Sequence, residues 1–344
     1  MLSFRLWTIF YIFALLAAAM STFGPVGIDA AIIVLVFWTA VYQSSNPIRM
    51  LACLIVGVSA LLLVVALLLP AVVAAQHAAR RLQCAGRLKQ LTVAILNYRD
   101  ANGTLPPAYI TDTNGKPLLS WRVSILPFFV DQAQALYSSI DTSKAWDDAS
   151  NSQVLSTTLD PLQCPSERSP APVTNYFAIV GPRTAWLEKG GRVIGDFSDG
   201  AENTILLIEA HGRGVQWSEP RDLTIDEAID LLSQPLTPRD EHQVNYGFFY
   251  KPGAGRNISF ADGRVVFLTA PLDRRLAESL LTADGGEDID LVELDRATQL
   301  QLDYAKCYGF TMFAILSFLP ATRIGLRRIK GDRQTRAERE AGDA

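Results

Sequence analysis

The sequence is poor in histidine and cysteine and, over its first 75 residues, in charge. Only three histidines occur in 344 residues, His77, His211 and His242. None stands at metal-ligand spacing from another histidine or a cysteine, so the sequence offers no zinc or iron site. It also lacks a Ser-His-Asp order with a nucleophile elbow, a glycine-rich phosphate loop and a basic surface interleaved with aromatics. These absences argue against an enzyme and against nucleic-acid binding. Residues 6–75 carry two charges, Asp29 and Arg49, which excludes an ordinary solvated surface for that stretch.

A membrane span takes about 20 apolar residues. Residues 6–23, 26–42 and 50–75 supply three candidates, and residues 307–321 a shorter fourth. The expected organisation is therefore two transmembrane helices in 1–49, a third in 50–104 that continues as a stem, an extracytoplasmic domain in 105–305, a fourth transmembrane helix in 306–326 and a basic, charged tail in 327–344. Lysine and arginine near spans favour the cytoplasmic side. Arg5, Arg49 and the tail RIGLRRIKGDRQTR (323–336) then lie inside, and the uncharged turn STFGPVG (21–27) outside. Arg80, Arg81, Arg87 and Lys89 fall on the outer side, which large translocated domains tolerate. The expectation is a multi-pass protein of the cytoplasmic membrane with both termini inside. Its tail would attract anionic lipid at about 1 kcal/mol per basic residue.

Beyond residue 70, Val72, Val73, Ala79, Leu82, Leu88, Leu91, Ile95 and Tyr98 recur at spacings of three and four, the stripe of a helix with one buried face. Span and stripe thus form one long helix, weakened or kinked at Pro70 and ending by Asn102-Gly103 ahead of Pro106-Pro107. LLSWRVSILPFFVDQAQALYSSI (118–140) reads as a broken helix, and LDPLQCPSERSPAP (159–172) as a proline-rich surface loop. TNYFAIV (174–180) and NTILLIE (203–209) read as strands. RNISFADGRVVFL (256–268) reads as a hairpin turning at Asp262-Gly263. LTIDEAIDLL (223–232) and DRRLAESLLT (273–282) read as short helices. One long helix followed by an antiparallel sheet is an α+β arrangement. Cys84 and Cys164 are the cysteines outside the apolar runs. In an oxidising compartment they are either a disulfide or two buried thiols.

The motifs resemble a bacterial family of prepilin-like extracytoplasmic proteins, domain-of-unknown-function family 1559, known for a C-terminal H-x9-DG element. The stem LLLPAVVAAQHAARRLQCAGRLKQLTVAILNYRDANGTLPPA (67–108) resembles the family's opening helix. LLSWRVSILPFFVDQAQALY, AWDDASN, LQCPSE, TNYFAIVG, GDFSDGAENTILLIEAHGRGVQWSEPRDLTID, ISFADGRVVFL and LLTADGGEDID follow in the family's order, over about residues 60–290. The resemblance implies a pseudopilin-like fold, a long N-terminal helix packed on an antiparallel sheet, here with additional transmembrane helices. Two departures stand out. The stretch before the third span, SSNPIRMLACLIV (44–56), lacks the prepilin cleavage glycine and following glutamate, and the family histidine ten residues before Asp262 is Pro252. The turn Asp262-Gly263 is retained.

Four further features bear on function. Asp196, Asp199 and Glu202 around Gly200 form a carboxylate-rich loop, readable as a calcium site or as turn and cap residues. Glu209 and His211, two apart at a strand end, share a face and read as an acid/base pair or as a surface pair; with Asp262 they would be the centre of a cell-envelope hydrolase. Trp217, in a proline-bearing loop, reads as a partner anchor or as packing beneath its own loop. No cofactor is expected. The expected partners are the lipid bilayer and envelope or secretion proteins, with the small-molecule ligand left open. The function expected is non-enzymatic binding or scaffolding in the envelope, or alternatively a subunit of a type II secretion or type IV pilus-like assembly.

Overall fold

The computed structural model describes residues 6–43, 46–129, 132–167, 172–237, 242–244, 249–286, 291–299 and 301–319. The basic tail, 323–336, lies outside them. The chain divides into two compact units, one of Met1–Val73, Tyr246–Lys251 and Gln301–Ala344, the other of Ala74–Asn245 and Pro252–Leu300.

The first unit is helical. Helices α1 (Leu6–Phe23) and α2 (Gly27–Gln43) are joined by a 3-10 turn at Gly24–Val26. Gly24 has φ +63, a left-handed conformation that ends a helix and that glycine adopts without steric cost. The two helices fold back on one another. A Cβ placed on Gly27 would stand 2.2 Å from the Ala19 carbonyl, whereas eight residues along a straight helix span about 12 Å. Leu15, Ala19 and Ala31 form the buried seam, where the two alanines are small enough to let helix backbones approach. Helix Tyr304–Leu319 packs beside them: the Tyr11 hydroxyl donates to the Leu316 carbonyl at 3.0 Å and the Trp38 indole to that of Ser317 at 3.0 Å. Among the described residues the helical run Thr8–Thr39 is long and apolar enough to cross a membrane, with mean hydropathy 1.9.

Helix α3 is a single element, Asn46–Asn102. It passes Pro70 without a break and stops where expected, with Gly103 at φ +81 donating back to the Arg99 carbonyl. Its buried stripe in the second unit is Cys84, Leu88, Leu91 and Ile95, each fully enclosed, at spacings of four, three and four. Each buried aliphatic there contributes about 1.5–3 kcal/mol. The upper part of the expected stripe is corrected: Val72, Val73 and Leu82 are exposed, Leu82 by 67%.

The second unit is mixed helix and sheet. β1 (Tyr109–Thr111) and β2 (Pro117–Ser120) form an antiparallel pair, so the start of the expected broken helix is a strand, and helix begins only at Trp121, capped by Ser120. The stretch 174–180 divides into β3 (Tyr176–Phe177) and β4 (Ile179–Val180). β3 pairs with β5 (Ile205–Glu209), while β4 pairs in parallel with β6 (Leu223–Thr224). β7 (His242–Val244), β8 (Gly253–Phe260) and β9 (Val265–Leu268) complete a five-stranded antiparallel sheet ordered β3-β5-β8-β7, with β9 along the other edge of β8. β5 and β7 both pair with β8, with Ile208 opposite Ile258 and His242 opposite Gly255. One face packs with α3 through Tyr176 and Leu207. The other carries Phe177, Ile208, Ile258 and Phe260 against helices Ile225–Ser233 and Arg274–Leu281. The sheet thus has helices on both faces.

Candidate functional site

The site follows from strand register. Ile208 faces Ile258, so the next residue of β5, Glu209, falls beside Asn257. His242 faces Gly255, two residues along β8 and therefore on the same side of the sheet. That side is the one α3 covers, and Cys84 sits there. Glu209 is fully buried and His242 is 3% exposed.

Nε2 of His242 lies 2.9 Å from Oε1 of Glu209, and Nε2 of His211 lies 3.3 Å from the same oxygen. The other oxygen, Oε2, accepts from the Asn257 side-chain amide at 2.6 Å and from its backbone N–H at 3.2 Å. Burial by itself raises the Glu209 carboxyl; the hydrogen bonds and charge of His211 and His242 outweigh it and hold the group below the ordinary carboxylate range. The two imidazoles meet edge to face, ring centres 5.2 Å apart. On its far side His242 places Nδ1 3.4 Å from the Ser166 hydroxyl.

Cys84 of α3 and Cys164 of the proline-rich loop are joined as a disulfide, Cα–Cα 5.1 Å, closing 80 residues of chain. Sγ of Cys164 is 3.7 Å from Nε2 of His242. Tyr176, opposite Glu209 in the sheet, donates its hydroxyl to the Cys84 carbonyl at 3.0 Å. Burial first, and then the Glu209 charge, push that phenol well above its ordinary value, so it stays a donor. Donor atoms of Cys84, Cys164, Glu209 and His242 all lie within 4.8 Å of one another. No such set is legible in the sequence, because its members are scattered over 159 positions of chain and only the fold assembles them.

A second buried charge centre was also invisible in the sequence. Arg122 and Asp222 have no exposed side-chain surface and meet at 2.6 Å. Asp222 also accepts from the Trp121 indole and the Ala178 N–H, and Arg122 donates to the Tyr176 carbonyl and the Ser120 hydroxyl. Burial raises the Asp222 carboxyl, and Arg122 with the Ala178 N–H acts against that.

The remaining candidates are placed as follows. Glu209 and His211 meet, but Asp262 occupies the β8–β9 turn, where its carboxylate accepts the Arg264 N–H at 2.8 Å. Gly263 has φ +92 and its carbonyl accepts from Lys89 of α3, which seats the turn on the stem. Asp199 accepts from the backbone N–H groups of Gly285 and Gly286, both at 2.7 Å, while Glu202 folds over Gly200 and Asp196 is exposed. Asp199 is thus a loop clamp. Trp217 takes the packing alternative: it is 1% exposed and its indole donates to the Thr157 carbonyl at 2.9 Å, so its ring is no partner surface. His77 lies on α3, half-buried.

The stem helix, the loop carrying Cys164 and the β1–β2 hairpin lie in the stretch that resembles a known family. Residues 73–195 match the family described as "Protein of unknown function (DUF1559)". The DUF1559 match contains Cys84, Arg122, Cys164 and Tyr176; Glu209, Asp222, His242 and Asp262 follow it in the chain. No curated protein and no solved structure matches.

Proposed function

We propose that the chain is a membrane-anchored, pseudopilin-like protein whose second unit works on the extracytoplasmic side as a non-enzymatic binding or scaffolding domain of the cell envelope. The observation that carries the proposal is the Cys84–Cys164 bond between the stem helix and the domain, since structural disulfides persist in oxidising compartments. Two further features support it. The apolar residues 50–75 and the buried stripe Cys84, Leu88, Leu91 and Ile95 belong to one helix, and the stem-on-sheet order is that of the resemblance. Additional spans in 6–43 and 304–319 would make the anchor multi-pass in the cytoplasmic membrane, with both termini inside. The absence of a prepilin cleavage site before residue 50 favours a fixed post over a subunit released into a fibre.

Lys189 is exposed in the second unit and reports its side of the membrane. With Cys53 and Cys307 replaced by alanine, a Lys189→Cys variant should react with an impermeant maleimide in cells whose outer barrier is opened. A Thr335→Cys variant should react only after the inner membrane is breached. The reverse pattern removes the proposal.

A further inference from the structure

Four buried groups of different chemistry converge where the stem meets the sheet: two sulfurs, an imidazole and a carboxylate, within 4.8 Å of one another. We propose that Cys84, Cys164, His242 and Glu209 form a redox-gated cation site. Oxidised, the sulfurs bond to each other; reduced, the four side chains hold one soft divalent ion of the zinc class.

The donor set selects the ion. Two thiolates, one imidazole and one carboxylate suit tetrahedral zinc, whereas calcium and magnesium take oxygen donors. Bonds of about 2.0–2.3 Å put neighbouring donors of a tetrahedron about 3.3–3.8 Å apart. His242 Nε2 already lies 3.7 Å from Cys164 Sγ and 2.9 Å from Glu209 Oε1. The rearrangement needed is separation of the two sulfurs, a small opening of the His242–Glu209 contact and closure of the wider donor pairs, which reach up to 4.8 Å.

The outer contacts are those of a prepared site. Asn257 holds Oε2 of Glu209 with both its amides and so turns Oε1 toward the cluster. Ser166 sits on Nδ1 of His242. A hydroxyl both donates and accepts, so Ser166 serves the tautomer with the proton on Nε2, which donates to Glu209, and equally the one with the proton on Nδ1, which frees Nε2 for an ion. Such outer partners fix ligand orientation.

The chemistry balances with a dithiol as reductant. The disulfide accepts two electrons and two protons from the dithiol, which closes to its own disulfide, leaving Cys84 and Cys164 as thiols. Zinc then displaces one proton from each thiol and binds the two thiolates, neutral His242 and Glu209. The disulfide ties α3 to the loop of Cys164; the ion would tie α3, that loop, β5 and β7 together. A chain that has not yet been oxidised would thus keep its stem joined to its sheet.

Full-length protein in detergent should be reduced with dithiothreitol, freed of it without oxygen, equilibrated with zinc and desalted, and its metal content measured. The expected result is about one zinc per reduced chain and none per oxidised chain. Cobalt in place of zinc should give the visible absorption of a tetrahedral thiolate complex. Zinc should also slow alkylation of Cys84 and Cys164 in the unaltered reduced chain, a readout that needs no variant. Ser166→Ala should weaken binding about 10- to 100-fold, and His242→Ala should abolish the cobalt spectrum. A reduced chain without zinc overturns the proposal, as do equal zinc in oxidised and reduced chains and alkylation indifferent to zinc.

Discussion

Among the described residues the second unit holds two carboxylates with no exposed side-chain surface, Glu209 and Asp222, and they are held in opposite ways. Asp222 faces Arg122, a permanent cation whose planar fork meets it with two nitrogens, at 2.6 and 3.3 Å. Its remaining lone pairs are taken by an indole and a backbone amide, so the centre is closed. Glu209 faces two imidazoles, His211 and His242, and beside it lie two sulfurs that can change oxidation state. The first arrangement can only hold structure. The second holds structure and can also answer a change of pH, redox state or metal.

That difference should appear on mutation. Removing the cation of the closed centre strands a buried charge, so Arg122→Ala should cost about 3–5 kcal/mol in denaturant unfolding of the full chain, followed by the fluorescence of Trp121 and Trp186, which are in contact with each other. Replacing both Cys84 and Cys164 by serine removes a cross-link over 80 residues and should cost about 4 kcal/mol. Reduction of the unaltered protein without added metal should reproduce most of that loss.

The Glu209 centre should be distinguished by pH. The carboxyl is depressed in the folded chain relative to its ordinary 4.5, so it contributes stability above that value and loses it as pH falls below 4.5 toward the folded value. Glu209→Gln should cost about 1–3 kcal/mol at neutral pH and should flatten that acid slope. A variant with the wild-type slope would show that Glu209 is not the titrating group. At the stem's contact with the hairpin, Gly263→Ala forces a side chain into φ +92 and should cost about 1–2 kcal/mol without altering the pH slope.

The parts of the fold legible in the sequence are those written in neighbouring residues. Asn102-Gly103 ends the stem, Asp262-Gly263 turns the β8–β9 hairpin, and NTILLIE contains β5, because caps, turn residues and short apolar runs are local signals. Stretch 174–180 reads as one strand but is cut at Ala178. Its N–H is taken by Asp222 and its carbonyl by Leu223, partners over forty residues away. Leu82 fits the helical spacing yet faces out, since Cys84 and not Leu82 starts the stripe that the sheet covers. The candidate site was half legible. Glu209 and His211 are two apart and share a face, but His242 reaches Glu209 only because β5 and β7 both pair with β8, and Asn257 because it lies on β8 itself. Register of this kind is set by tertiary packing and leaves no mark in spacing.

The central claim is that the stem is covalently joined to the domain in an oxidising compartment, and the cell itself can be asked. Cells expressing the full chain are quenched in acid, which unfolds the protein and freezes thiol exchange, and are then alkylated with and without prior reduction before mass analysis of the peptides carrying Cys84 and Cys164. The account predicts that both cysteines escape alkylation until a reductant is added. Alkylation of both without reductant would contradict it.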